Sequence, residues 1–180
     1  MKTNMMKKIS LAGFFCAALL AFNSTITYSQ GRFSVGPELS LPIGSFSDGA
    51  NVGLGGSLRY ETPIDANLTW MVTAGYLSYS LKNIPSGYTS SSSIIPVMGG
   101  VKYYFTENFN GFYASGALGL SFLKASFTGP SVSVSSSETK FTFAPGIGYH
   151  IANIDFSGSF QLVSDANSLN IRVAYVFGAK

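Results

Sequence analysis

The stretch Leu169–Phe177, LNIRVAYVF, decides the fold. Leu169, Ile171, Val173, Tyr175 and Phe177 fall on one face of an extended chain, and Asn170, Arg172 and Ala174 on the other. Side chains alternate between the two faces of a strand, so a period of two predicts a β-strand with one apolar face. Apolar residues of an amphipathic helix would instead recur three and four apart.

The same alternation appears in seven segments upstream. Gln30–Leu41 sets Phe33, Val35, Leu39 and Leu41 against Ser34, Gly36, Glu38 and Ser40. Asn51–Thr62 sets Val52, Leu54, Leu58 and Tyr60 against Ser57, Arg59 and Glu61. Leu68–Ser80 places Trp70, Val72, Ala74 and Tyr76 together, Ile94–Phe105 places Ile95, Val97, Val101, Tyr103 and Phe105, and Gly111–Lys124 places Phe112, Ala114, Leu118, Leu120 and Phe122. Thr139–Ile151 and Ile154–Ser164 repeat the pattern with Phe141, Phe143, Ile147 and Tyr149, and with Phe156, Phe160 and Leu162. Short turns (Pro63–Ala66, Thr106–Phe109, Ala152–Asn153) alternate with longer Ser/Gly-rich loops (Pro42–Ala50, Lys82–Ser93, Ser126–Glu138); only Asp165–Ser168 is short where a long loop is due. Eight alternating strands with short turns at one end and longer loops at the other predict an all-β fold, an eight-stranded antiparallel up-and-down transmembrane β-barrel.

The chain opens on a segment of another kind. Lys2, Lys7 and Lys8 precede the apolar run Ile9–Phe22, and a polar stretch with small residues follows. That order predicts a cleaved secretory signal peptide over 1–29, with Thr27 and Ser29 ahead of the cut, and a single barrel domain over 30–180. Without the three lysines, eight basic and eight acidic residues remain. The net charge of zero removes the electrostatic case for a nucleic-acid partner. The one cysteine, Cys16, leaves with the leader, so no thiol, disulfide or cysteine metal site is expected. With one histidine and scattered carboxylates, no metal or other cofactor is expected either.

Two features orient the barrel. Charged residues make up 11% of the chain, against about 25% in ordinary globular domains, and the less apolar face is mostly Gly, Ser, Thr and Ala. Such a face suits a narrow, filled lumen better than a solvated exterior. The aromatic residues Phe33, Tyr60, Trp70, Tyr103, Phe105, Phe112, Tyr149, Phe156, Tyr175 and Phe177 all fall near the short-turn end of their strands, on the apolar face. Amphipathic rings are favoured at a membrane interface, so these ten predict a girdle on the periplasmic side. Tyr76, Phe122 and Phe141 suggest a thinner girdle at the loop side. Pro37 and Pro145 on the apolar face and Pro96 on the other cannot donate ladder hydrogen bonds, which predicts bulges or local distortion.

The inward face holds Glu38, Arg59, Glu61, Lys102, Asp155 and Arg172. Charges inside a narrow barrel must pair, so these six predict an interior network. Glu38 and Arg172 lie on the first and last strands, which meet on closure, and are expected to form an inward salt bridge.

With these strands in place, the chain resembles the small eight-stranded outer-membrane proteins of the OmpA membrane-domain and OmpX type. Within that group it is most similar to the outer membrane protein beta-barrel or porin-family chains of Bacteroidota. The segments FSVGPELSLPIG, ASGALGLSF, APGIGYHI and LNIRVAYVFGAK carry the resemblance, which spans the mature chain. It implies a monomer in the outer membrane of a Gram-negative bacterium, inserted by the barrel-assembly machinery and contacting outer-membrane lipids and lipopolysaccharide. The terminal aromatic that the machinery reads corresponds to Phe177, here followed by Gly178, Ala179 and Lys180. Barrel enzymes that deacylate lipid A carry His and Ser two residues apart on a lipid-facing strand. His150 lies on the inner face, with Gly148 and Ala152 at that spacing, so no catalytic residue is assigned. The expected role is non-enzymatic, structural or in surface interaction through the extracellular loops, where SVSVSSS can extend the strands above the membrane and meet an unidentified surface partner. A narrow solute channel and a soluble lipocalin-like carrier are the alternatives.

Overall fold

The computed structural model describes residues 31–82, 89–128 and 133–178. The expected leader lies outside the described residues. The alternating segments form strands β1 (Arg32–Pro42), β2 (Gly53–Pro63), β3 (Leu68–Ser80), β4 (Thr89–Tyr104), β5 (Gly111–Thr128), β6 (Ser133–Ile151), β7 (Ile154–Val163) and β8 (Ser168–Phe177). Each pairs antiparallel with its neighbours in sequence, and β1 pairs with β8, closing the barrel.

The register fixes how narrow the barrel is. Starting at Arg32 and stepping round through Glu61, Met71, Gly100, Ala117 and Ala144, across an unpaired but in-phase step to Gln161, and on to Ser168, the register returns to β1 at Pro42. The return point lies ten residues along the strand. A ten-residue stagger over eight strands tilts them by about 40°, given the usual rise and strand spacing. The resulting lumen is one that side chains fill. Inward positions are crowded enough that a Cβ at Gly55 or Gly100 would run into the backbone of the adjacent strand.

The apolar face points out. Ile147 is 71% and Phe112 67% exposed, and Leu58, Val97, Leu118 and Phe143 are also exposed. Ser34, Thr73, Lys102, Ser121, Thr142 and Arg172 are buried. This orientation overturns the lipocalin-like alternative, which needs the apolar side chains to line the interior.

The three prolines break pairing without shifting register. Pro37 keeps its partner Gly56 on β2, Pro96 keeps Ser121 on β4–β5, and Pro145 keeps Gly116 on β5. On the opposite side each ladder skips two pairs and resumes in phase: Val35↔Tyr175 to Glu38↔Arg172, Ala74↔Val97 to Leu77↔Ile94, and Phe143↔Leu162 to Gly146↔Ser159. The expected bulges are therefore replaced by gaps, because each proline nitrogen faces the ladder that opens.

Two expected loops are largely strand. β4 begins at Thr89, so Ser90–Ser93 pair with Lys124–Phe127, and β5 and β6 continue to Thr128↔Ser133. Cross-strand hydrogen bonds outweigh the loop-like composition of these serines. The first long loop folds into the five-residue helix α1 (Ser45–Gly49). Phe46 stacks edge-on against Tyr79 at 5.1 Å, over a buried cluster of Ala50, Leu77, Ile94, Val163 and Ala166. This apolar cap closes the loop end of the lumen.

Leu118 faces outward near mid-wall and is exposed. Leu118→Arg is expected to cost about 2–4 kcal/mol in a bilayer, read as a lowered urea midpoint by Trp70 fluorescence. An unchanged midpoint would contradict the outward placement.

Candidate functional site

Strand parity turns polar side chains from all eight strands into the interior. Lys102 of β4 extends across the lumen with its ammonium 2.7 Å from the Glu61 carboxylate on β2 and 2.8 Å from the Asp155 carboxylate on β7. Its side chain has no exposure. Arg59 lies 3.7 Å from Asp155 and 3.9 Å from Glu61, and its Nε donates to Thr73 Oγ1 at 3.0 Å. Arg172 lies 3.5 Å from Asp155. Tyr113 donates its hydroxyl to Asp155 at 3.0 Å, and Lys102 sits 4.1 Å from the centre of its ring.

Of the six residues expected in an interior network, five thus meet around Glu61 and Asp155. Glu38 stands apart. It is the register partner of Arg172, yet the expected salt bridge does not form. Glu38 accepts from Asn170 Nδ2 at 3.0 Å, while Arg172 turns inward and donates to Ser57 Oγ at 2.8 Å and Ser34 Oγ at 3.0 Å. Directly opposed charges on neighbouring strands share a height, but Asp155 offers Arg172 a more deeply desolvated carboxylate.

Arg32 belongs to this network and was not among the expected residues. Its guanidinium lies 3.3 Å from Glu61 and 5.1 Å from the Phe109 ring. Its position adjoins the expected cleavage point, but its parity with Ser34 is the signal that places it inward. Four cations surround two carboxylates here, and the faces of Tyr113 and Phe109 supply part of the missing negative potential.

The charge layer is enclosed from both sides. Toward the loops, Ser40, Ser121, Thr142, Gln161, Ser168 and Asn170 form a hydrogen-bonded layer beneath the apolar cap, tied to it by the Tyr79 hydroxyl, which donates to Ser40 Oγ at 2.8 Å. Toward the turns, the segment after β4 folds in over the lumen. Thr106 Oγ1 donates to the Asn110 carbonyl, Asn108 and Phe109 adopt positive φ (70° and 53°), and Phe109 packs 5.6 Å from Tyr104. His150 is buried, and its Nδ1 donates to the Phe109 carbonyl at 2.7 Å. His150 thus fastens the turn that closes this mouth.

Outside, the ten girdle residues ring the turn end, and nine of them make ring contacts. Phe33 meets Tyr60 at 4.7 Å, Tyr60 meets Trp70 at 5.8 Å, and Tyr103 meets Phe105 at 5.8 Å. Phe112 meets Tyr149 and Tyr175 meets Phe177 at 4.7 and 4.8 Å. Tyr149 is the register partner of Phe156, and Phe33 of Phe177, so all eight strands contribute. On β5, Phe112 and Phe122 lie ten residues apart, which is about 25 Å of height after tilt, the depth of an outer-membrane apolar band.

Above that band, β4, β5 and β6 continue as a three-stranded sheet. β7 first pairs with β6 at Thr142↔Val163, whereas β5 pairs with it up to Ser133. Among the described residues, the β6 edge from Ser133 to Thr139 has no strand partner on its outer side. Pro145 shows which groups point there. Its paired side is β5, so odd-numbered residues of this bulge-free strand direct N–H and C=O away from β5. At Ser135 and Ser137 these groups point to the side on which no described strand pairs.

The family model described as outer membrane protein beta-barrel domain matches residues 9–177. Among curated proteins, none matches the sequence. Among solved structures, Ail, the attachment invasion locus protein of Yersinia pestis, aligns with a TM-score of 0.63 at 17% identity, covering 82% of this chain and 97% of Ail. Neisserial surface protein A aligns at 0.52 and 14% identity, covering 82% and 97% of the two chains. The N-terminal β-barrel domain of Pseudomonas aeruginosa OprF aligns at 0.52 and 15%, covering 82% and 100%.

Removing one partner of a buried ion cluster costs about 3–5 kcal/mol, because the others are left uncompensated. Lys102→Met, which takes from both carboxylates their nearest cation, is expected to lower the unfolding free energy by that amount, and Glu61→Gln, which leaves four cations around Asp155 alone, to lower it at least as much. Arg172→Glu, which sets a third carboxylate beside Asp155, is expected to abolish the heat-modifiable folded band on gels. Wild-type unfolding curves for all three variants would refute a structural role for the network.

Proposed function

The chain belongs to the outer membrane protein beta-barrel domain family and resides in the outer membrane; on that premise we propose that it acts without catalysis, as a surface-recognition protein whose contact element is the sheet β4–β5–β6. The observation that carries this reading is the open β6 edge. A strand edge with unpaired N–H and C=O groups takes up an extended segment of another chain by strand addition. The edge is uncharged from Ser133 to Ser137, and edge strands that avoid pairing usually carry lysine, proline or a bulge there. Lys140 closes the lower limit, reaching the Ser164 carbonyl at 3.1 Å and Asp165 at 3.3 Å. Attachment is the role in the name of Ail, a barrel of the same fold.

A solute channel has less support. The lumen is crossed by Lys102, Tyr104, Tyr113 and Tyr79, all buried, and is capped by Phe46 at one end and Phe109 at the other. Charge lines it, as in selective pores, but those charges hold one another.

Bacteria displaying the barrel are expected to adhere to epithelial cell layers several-fold better than bacteria carrying an empty vector. The pair Ser135→Pro and Ser137→Pro removes backbone donors on the open edge and spares those on the β5 side, so, with Ser135→Ala and Ser137→Ala as the control for the lost hydroxyls, it should abolish the gain while leaving heat-modifiable mobility unchanged. Adhesion equal to the empty-vector control would refute recognition, and adhesion retained by the proline pair would refute the edge. Planar-bilayer recordings of the pure protein should show no stepwise conductance.

A further inference from the structure

The outer wall carries a groove where the exposed sheet rises past the barrel. It has a volume of about 550 Å³ and lies across β3, β4, β5 and β6 at the loop side. Tyr76, Ile95 and Phe122 line its lower part, all exposed and outward-facing. Phe122 marks the upper limit of the apolar band, so this part of the groove opens to acyl chains. Lys124 and Ser126 follow on the same face of β5, about 5 and 10 Å higher, in the headgroup zone.

The register surrounds Lys124 with hydroxyls. Ser93 of β4 and Ser137 of β6 are its cross-strand partners, and both line the groove. Glu138 also lines it, but its carboxylate is held 3.2 Å from the Lys140 ammonium. No carboxylate among the described residues lies within ion-pair distance of Lys124. The groove therefore presents one uncompensated cation between two hydroxyl donors, directly above an aromatic and aliphatic floor.

We propose that this groove binds a phosphate-bearing acyl lipid of the outer leaflet, with the phosphate on Lys124 between the Ser93 and Ser137 hydroxyls and an acyl chain along Phe122, Ile95 and Tyr76. A free anion would leave the floor unused, and an uncharged apolar ligand would leave the ammonium unpaired. A phosphorylated amphiphile at the interface satisfies both, because charge-assisted hydrogen bonds hold its head where burial of its tail begins. The site rests on the outer-membrane location; it shares Ser137 with the β6 edge, through the hydroxyl rather than the backbone, so Lys124→Ala, which leaves that edge intact, separates it from surface recognition.

The test is native mass spectrometry of the intact barrel released from detergent after incubation with lipid A, dephosphorylated lipid A, or lipid A with millimolar inorganic phosphate. The expected result is one lipid A retained per barrel, with at least a five-fold lower occupancy for the dephosphorylated lipid and for Lys124→Ala, about the loss of one charge-assisted contact. Lys124→Arg should retain it. Ile95→Glu should lose it through the floor. Heat-modifiable mobility of each variant verifies folding, and Ser93→Ala with Ser137→Ala, which removes no charge or bulk, provides a second variant expected to weaken retention. Equal retention of phosphorylated and dephosphorylated lipid, or of wild type and Lys124→Ala, would reduce the groove to ordinary lipid contact and overturn the proposal. Displacement by inorganic phosphate would also overturn it, as a site for the free anion.

Discussion

Closure of β1 onto β8 is the constraint from which the rest of this structure follows. In hydrocarbon an unpaired backbone N–H or C=O has no water to turn to, so a sheet survives there only if it has no edge. The ten-residue stagger with which β1 meets β8 sets the tilt, and the tilt sets the lumen. A lumen this narrow must be packed by whatever faces it. The glycines at inward positions, the small hydroxyl residues and the long cations crossing between them are the means by which eight strands close around a filled interior.

The same constraint explains how the prolines are tolerated. Each turns its nitrogen toward one neighbouring ladder and keeps full pairing with the other, so the backbone loss is confined to two positions per ladder and the phase survives. It explains too why the open β6 edge lies where it does. Up to Thr142 the edge is covered by β7; beyond the apolar band β6 continues without a described strand partner, where water can solvate its unpaired groups. Membrane depth thus divides a single strand into a part that must be paired and a part that can stay open.

The interior is layered by chemistry. Cations and carboxylates lie in the middle, hydroxyl and amide groups above them, and aromatic closures at both ends. Such a stack fills and orders the barrel from one mouth to the other.

Much of this was legible in the sequence. A strict period of two fixes which residues share a face, and parity alone separated the ten girdle aromatics from the six inward charges; bulge-free ladders preserve that parity over nineteen residues in β6. Arg32 was legible by the same parity, although its place beside the expected cleavage point hid it. The partners of those charges were not legible. Lys102 meets Asp155 three strands away across the lumen, and Arg172 passes over its register neighbour Glu38 to reach the same carboxylate, because the stagger decides which side chains share a height. The extent of β4, β5 and β6 was likewise hidden, since Thr89–Ser93 and Ser133–Ser137 have the composition of loops and become strand only through their neighbours' hydrogen bonds. Sequence determined the faces, because side-chain direction is a local property of extended backbone; tertiary structure decided the contacts, because closure and tilt are properties of all eight strands together.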